Sequence, residues 1–169
     1  HEISRPLSEF RRSPETFCLT CFERKPDCLS AFAKNLEHAS SEAFVYFVKL
    51  VDIEGYCASK IGITNKPDVT KRFNSGCYVE LFFSSFAVGR LTRAEAFVIE
   101  SMLLVDTQDF PYEKKFYIDE SRTAEIEGWS ELRDLSLPKD WVIDLFQKYY
   151  QYVKNIGWVE TALQKLKTT

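Results

Sequence analysis

Hydrophobic and polar positions change their period twice along the chain. Ser13-Pro14-Glu15 has the form of a helix start, with Ser as N-cap, Pro in the first turn and an acid at the positive dipole end. That helix is predicted to run to about Arg24. Pro26-Asp27 starts a second one to about Glu37, with Leu29, Phe32, Ala33 and Leu36 at helical spacing, and His38 to Ser41 reads as a linker. The period then shortens. Phe44 to Val51 is aromatic and β-branched, Glu54-Gly55 supplies a turn, and Cys57 to Thr64 carries Ile61 and Ile63 two apart, so the pair reads as a hairpin. Asn65 to Asp68 opens a short helix from Val69 to about Asn74, and Tyr78 to Val88 is a third strand ended by Gly89. Thr92 caps a helix whose buried stripe is Ala96, Ile99, Leu103 and Leu104.

Beyond Gln108 the pattern thins to an extended piece, Lys115 to Ile118, and an acidic loop ending in Gly128-Trp129-Ser130-Glu131. Pro138-Lys139-Asp140 begins an amphipathic helix to about Asn155. Gly157 breaks it, and a last helix covers Trp158 to about Leu166. The central order is β-β-α-β-α. It predicts an α+β fold around a small three-stranded, mainly antiparallel sheet flanked by helices, with N-terminal and C-terminal helical extensions. The expected divisions are 1–43 for the N-terminal helices, 44–135 for the central unit and 136–169 for C-terminal helices packed on it. On the long helix, Trp141, Leu145, Phe146, Tyr149, Tyr150 and Tyr152 exceed one core stripe; packing on the core is the first expectation, with a dimer contact or base stacking as others.

Composition supports a single core. The chain has 169 residues, 45% of them apolar and 15% aromatic, which suffices for tight layers of rings. No apolar run approaches the ~20 residues of a membrane span, and residues 1–12 contain no stretch resembling a secretion signal. Five cysteines (18, 21, 28, 57 and 77) have no framework spacing, so a reducing, intracellular setting is expected. Cys18, Cys21, Cys28 and His38 admit a zinc reading, but Cys18, Cys21 and Phe22 equally fit one buried helix face.

The net charge of −3 disfavours a protein that coats nucleic acid. Its distribution matters more than its total, because residues 44–104 hold seven basic and six acidic side chains and phosphate contacts need only a local basic track.

Candidate chemistry follows from strand alternation. Val45, Phe47, Ile61 and Ile63 should face the core. Tyr46, Lys60 and Gly62 then share the opposite face, provided paired residue numbers sum to an even value. Arg72 from the next helix and Glu100 from the one after can join them. A phenol, an ammonium, a guanidinium and a carboxylate around a glycine-floored hollow suit phosphodiester hydrolysis. Glu100 can hold one hard cation, Arg72 can grip phosphoryl oxygens with its planar fork, and Lys60 can lower the Tyr46 phenol so that it acts as a base. Glu95 is a rival to Glu100.

These residues carry a resemblance. Val45-Tyr46-Phe47 and Lys60-Ile61-Gly62 resemble the two halves of the signature of the GIY-YIG endonuclease superfamily, and Arg72 and Glu100 follow in its element order. The likeness spans about 60 residues and is nearest the phage-type and restriction-type branches. It departs from the pattern where Ala43 and Phe44 replace the first Gly, Lys60 the second Tyr, and Ile63-Thr64 a His. Gly128 to Glu131 resembles a short tail motif of phage-type members, although Glu131 reads first as part of a Trp-anchored turn.

The resemblance implies a divalent-metal-dependent endonuclease acting on DNA, with Mg²⁺ or Mn²⁺ at Glu100 and catalysis by Tyr46, Lys60, Arg72 and Glu100. A homodimer is compatible with it. The alternative is a catalytically inactive module of that fold which binds DNA or a protein partner.

Overall fold

A computed structural model describes residues 29–73, 77–114, 116 and 131–157. The fold is α+β. Its elements are α1 (Leu29–Lys34), α2 (Leu36–Ser40), β1 (Glu42–Val51), β2 (Cys57–Thr64), a 3-10 turn (Val69–Arg72), β3 (Tyr78–Ser84), a second 3-10 turn (Ser85–Ala87), β4 (Leu91–Thr92), α3 (Arg93–Asp106), β5 (Leu132–Arg133) and α4 (Lys139–Ile156). The strands form one antiparallel sheet in the order β3-β1-β2-β5, with β4 paired to the start of β1. The three expected strands are thus its centre, and two short strands extend it.

The β1–β2 register pairs Tyr46 with Gly62 and Val48 with Lys60, so the pair sums are even and Tyr46, Lys60 and Gly62 share a face. Val45, Phe47, Ile61 and Ile63 face the larger cluster, which α3 and α4 cover. The other face is buried too. Tyr46, Val48, Leu50 and Ala58 lie under Val69, Phe116 and Leu132, contributed by loops and by β5. A central strand covered on both sides becomes apolar along nearly its whole length, as β1 is.

Thr92 and Glu95 form a reciprocal capping box that starts α3. The predicted stripe of Ala96, Ile99, Leu103 and Leu104 is buried, and so are the helix's other flanks from Ala96 to Leu104, because sheet, α2 and α4 enclose it. Gly157, left-handed at φ 57°, ends α4. On that helix Phe146 packs against Phe83 at 4.3 Å between ring centroids, Tyr149 bonds the Asp106 carboxylate, and Lys154 pairs with Glu95. Core packing therefore accounts for most of its aromatic residues. Trp141 stays partly exposed over Phe110.

Three local expectations need correction. The second predicted helix is broken at Asn35, whose side chain accepts from the His38 backbone N–H and starts a new turn that runs to Ser40 where a linker is expected. The third strand stops at Ser84 rather than Val88. There Ser84 Oγ caps a 3-10 turn and Ser85 Oγ accepts from the Val45 N–H, pulling the chain out of the ladder. The helix after β2 is only a 3-10 turn ending at Arg72. The helices expected over 13–24 and 158–166, the acidic loop up to Ser130, Cys18, Cys21 and Cys28 lie outside the described residues, as does the 115–118 piece apart from the buried Phe116. Among the described residues no helix is long and apolar enough to cross a membrane.

Candidate active site

Tyr46, the centre of the site, is held by its strand partner. A Cβ built on Gly62 would fall 2.6 Å from Tyr46 Cζ, so the phenol lies against a floor that only glycine provides. Phe73 meets the ring edge-on at 5.9 Å, and the Arg72 guanidinium carbon lies 5.8 Å from the ring centroid. Asp68 caps the 3-10 turn by accepting from the Thr70 N–H, and the turn aims Arg72 back over β2, where Nη1 donates to the Ile63 carbonyl at 2.7 Å.

Tyr46 is 0% exposed, and its Oη has no hydrogen-bond partner among the described residues. Burial pushes the phenol pKa far up, Arg72 pulls it down, and Glu131 and Glu100 push it up again. This corrects the expectation that Lys60 makes the phenol a base. The opposing cation is Arg72, burial outweighs it, and the phenol keeps its proton at neutral pH.

Lys60 is 1% exposed, and its Nζ donates to Glu131 Oε2 at 2.6 Å. Burial pulls its pKa below the ordinary lysine value, and Glu131 acts against that pull. Glu131 is therefore more than part of a turn: its side chain, 24% exposed, is the ionic partner of Lys60 at the rim. Glu100 is 7% exposed and close enough that its charge raises both the Tyr46 and the Lys60 pKa. Its rival is engaged elsewhere, since Glu95 accepts from the Thr92 N–H and from Lys154.

The fold thus brings Tyr46, Lys60, Arg72 and Glu100 into one electrostatic neighbourhood and adds Glu131. Two cations balance two carboxylates around a neutral phenol. No family model, curated protein or solved structure matches the chain.

Arg133 keeps this frame rigid. The buried guanidinium donates to the Leu104 carbonyl at 3.0 Å, to Thr107 Oγ1 at 3.0 Å and to the Leu132 carbonyl at 2.8 Å. It ties the end of the helix bearing Glu100 to the strand that follows Glu131. The Gly128-Trp129-Ser130-Glu131 run was the only sequence signal for Glu131, and nothing marked Arg133 as a clamp.

Among the described residues no three His, Cys, Asp or Glu side chains gather as a metal cage. A Mg²⁺-type ion does not require one, because it keeps several waters and takes one or two carboxylates plus substrate phosphate. The Glu100 carboxylate is a hard oxygen donor of the kind such an ion takes. His38, the described member of the zinc reading, is exposed and contacts Phe32.

Proposed function

We propose that the chain is a divalent-metal-dependent endonuclease that hydrolyses DNA phosphodiester bonds, built like the GIY-YIG enzymes it resembles. The observation that carries this reading is the buried phenol hydroxyl without a partner, set among two cations and two carboxylates. A polar group left so inside a core is costly, and it is accounted for when a substrate oxygen completes it.

Glu100 would hold the ion, Mg²⁺ or Mn²⁺, which supplies charge stabilisation to the phosphoryl oxygens when bound. The exposed guanidinium of Arg72 grips a non-bridging oxygen, and Tyr46 Oη, still protonated, donates to another. Glu131 accepts the proton of the attacking water. Lys60 gives its own proton to the leaving oxygen as the P–O bond breaks. The proton on Glu131 then returns to Lys60 across their 2.6 Å hydrogen bond, which restores both groups.

The test is cleavage of plasmid and single-stranded DNA with Mg²⁺ or Mn²⁺. Glu100→Ala should abolish it, and Arg72→Ala should slow it by about 10²–10³-fold, the usual effect of removing one charge-stabilising donor. Wild-type protein that leaves every nucleic acid intact with each ion would refute the reading.

A second reading has one observation in its favour. Tyr46 and Lys60 are almost wholly buried, as in a module that keeps the fold but binds DNA or protein without cutting. It predicts partner binding that Glu100→Ala leaves unchanged.

A further inference from the structure

The loop over the hollow has an outer surface that the chemistry above leaves unused. Residues 65–73 carry three basic side chains, Lys66, Lys71 and Arg72, and one acid, Asp68, in a chain whose net charge is −3. The loop is anchored from inside. Val69 is buried in the Tyr46 cluster, and the Lys66 backbone N–H donates to Thr64 Oγ1 at 3.1 Å. The single acid is turned to local work, with Oδ1 accepting from both the N–H and the hydroxyl of Thr70.

The two lysines point outward. The Lys71 side chain is 73% exposed, and its 3.6 Å contact with Asp68 is the kind of surface pair that contributes little. Lys66 is exposed as well, with its ammonium 3.4 Å from the Lys71 carbonyl, so both cations emerge beside Arg72.

The opposite end of β2 has the reverse character. A cavity of about 440 Å³ beside Tyr56 and Cys57 is lined by Asp109, Glu113 and Asp134, against Lys114 as its one described cation. Eight strand residues separate the two ends, or roughly 26 Å at 3.3 Å per residue. A polyanion approaching the hollow is repelled from one end of β2 and drawn to the other.

We propose that the 65–73 loop is a phosphate rail: Lys66 and Lys71 hold backbone phosphates of the DNA strand next to the one that Arg72 grips, and the strand enters over the end of β2. The proposal rests on the nuclease reading for its ligand, a phosphodiester chain. It adds the path of that chain and a contact that is independent of base sequence.

The experiment measures binding of a fluorescent DNA duplex by anisotropy in EDTA across about 50–200 mM salt, with a parallel cleavage assay in Mn²⁺. Each phosphate contact contributes about 0.9 to the slope of log K against log salt. Lys66→Gln/Lys71→Gln should therefore flatten the slope by about 1.8. Lys139→Gln/Lys148→Gln removes the same charge from α4, which packs on the other face of the sheet, and should leave the slope at its wild-type value.

An unchanged slope in the first variant, or equal flattening in the control, overturns the rail. If the wild type still cleaves in that case, the nuclease reading stands alone. Binding that depends on Lys66 and Lys71 without cleavage supports the rail and removes the nuclease. Wild-type protein that binds no duplex overturns the rail whatever the cleavage assay shows.

Discussion

Tyr46→Phe should make the protein more stable and less active. The ring is 0% exposed, and its hydroxyl has no partner among the described residues. A hydroxyl taken from water without a compensating bond costs about 1–3 kcal/mol in mutational data. Phenylalanine keeps the remaining contacts, namely the edge-on approach of Phe73 at 5.9 Å and the guanidinium at 5.8 Å. It also leaves the ring atoms over Gly62 in place. The expected gain is about 1–2 kcal/mol, which for a domain of this size raises Tm by about 2–8 °C. Calorimetry or urea titration reads that gain, and the DNA cleavage assay reads the loss, because the hydroxyl is the group assigned to a phosphoryl oxygen. Opposite signs for stability and activity are what a site that departs from packing optima produces. A lower Tm for Tyr46→Phe would show that the hydroxyl is satisfied in the fold, and the hollow would then have no claim on a substrate oxygen.

Two further outcomes follow from the charges. The Lys60–Glu131 pair is asymmetric, with one side chain 1% and the other 24% exposed. Glu131→Leu deprives a deeply buried ammonium of its hydrogen-bonded carboxylate and should cost about 3 kcal/mol, whereas Lys60→Met leaves a carboxylate that water reaches and should cost about 1 kcal/mol. Urea midpoints rank the two, and the reverse order would contradict the burial. In alkali, Tyr46 and Tyr149 both have pKa values raised by burial, so in the fold they retain protons that the unfolded chain releases near pH 10. Their contribution is complete below about pH 10 and is lost above it. Lys60, depressed by burial, acts oppositely and adds stability as pH rises toward its unfolded value of 10.5. Two phenols outweigh one ammonium, so net loss should begin at about pH 10, with the two phenolate absorbances appearing only together with loss of the circular dichroism signal. Full phenolate absorbance from a still-folded chain would be the contrary result.

The readable parts of the fold are those with local causes. Cys57–Thr64 forms a strand because Ile61 and Ile63 alternate with smaller residues, and Thr92 with Glu95 is a cap that two side chains make on their own. Parity alone put Tyr46, Lys60 and Gly62 on one face, and the register agrees. Other features depended on distant partners. Strand β3 ends early because Ser85 reaches Val45, forty residues away in the chain. The second buried face is roofed by Val69, Phe116 and Leu132, single residues from three segments that share no period. Without that roof in view, Lys60 looks like a cation that lowers the Tyr46 phenol, and the phenol looks available as a base. Burial reverses both inferences, and burial is what a local pattern reports least well.

The pairing of Lys60 with Glu131 has a consequence for how the hollow must be built. An ammonium this deep needs a carboxylate close by, since isolated charges in a core are neutralised or expelled. Glu131 can fill that role only if β5 is locked against β2 and α3; the strand ladder holds it to β2, and two hydrogen bonds from the buried Arg133, to the Leu104 carbonyl and Thr107 Oγ1, hold it to α3. The Arg133 clamp at the end of α3 and the Lys60–Glu131 pair at the floor of the site thus stand side by side in a relay of neighbouring charges, every member of it partnered. Tyr46 Oη lies beside that relay and outside it. Folding alone explains the satisfied groups, because each offsets the desolvation of its neighbour. A hydroxyl at 0% exposure where phenylalanine fits as well is a cost to the fold, and the proposed substrate oxygen is the partner that would offset it.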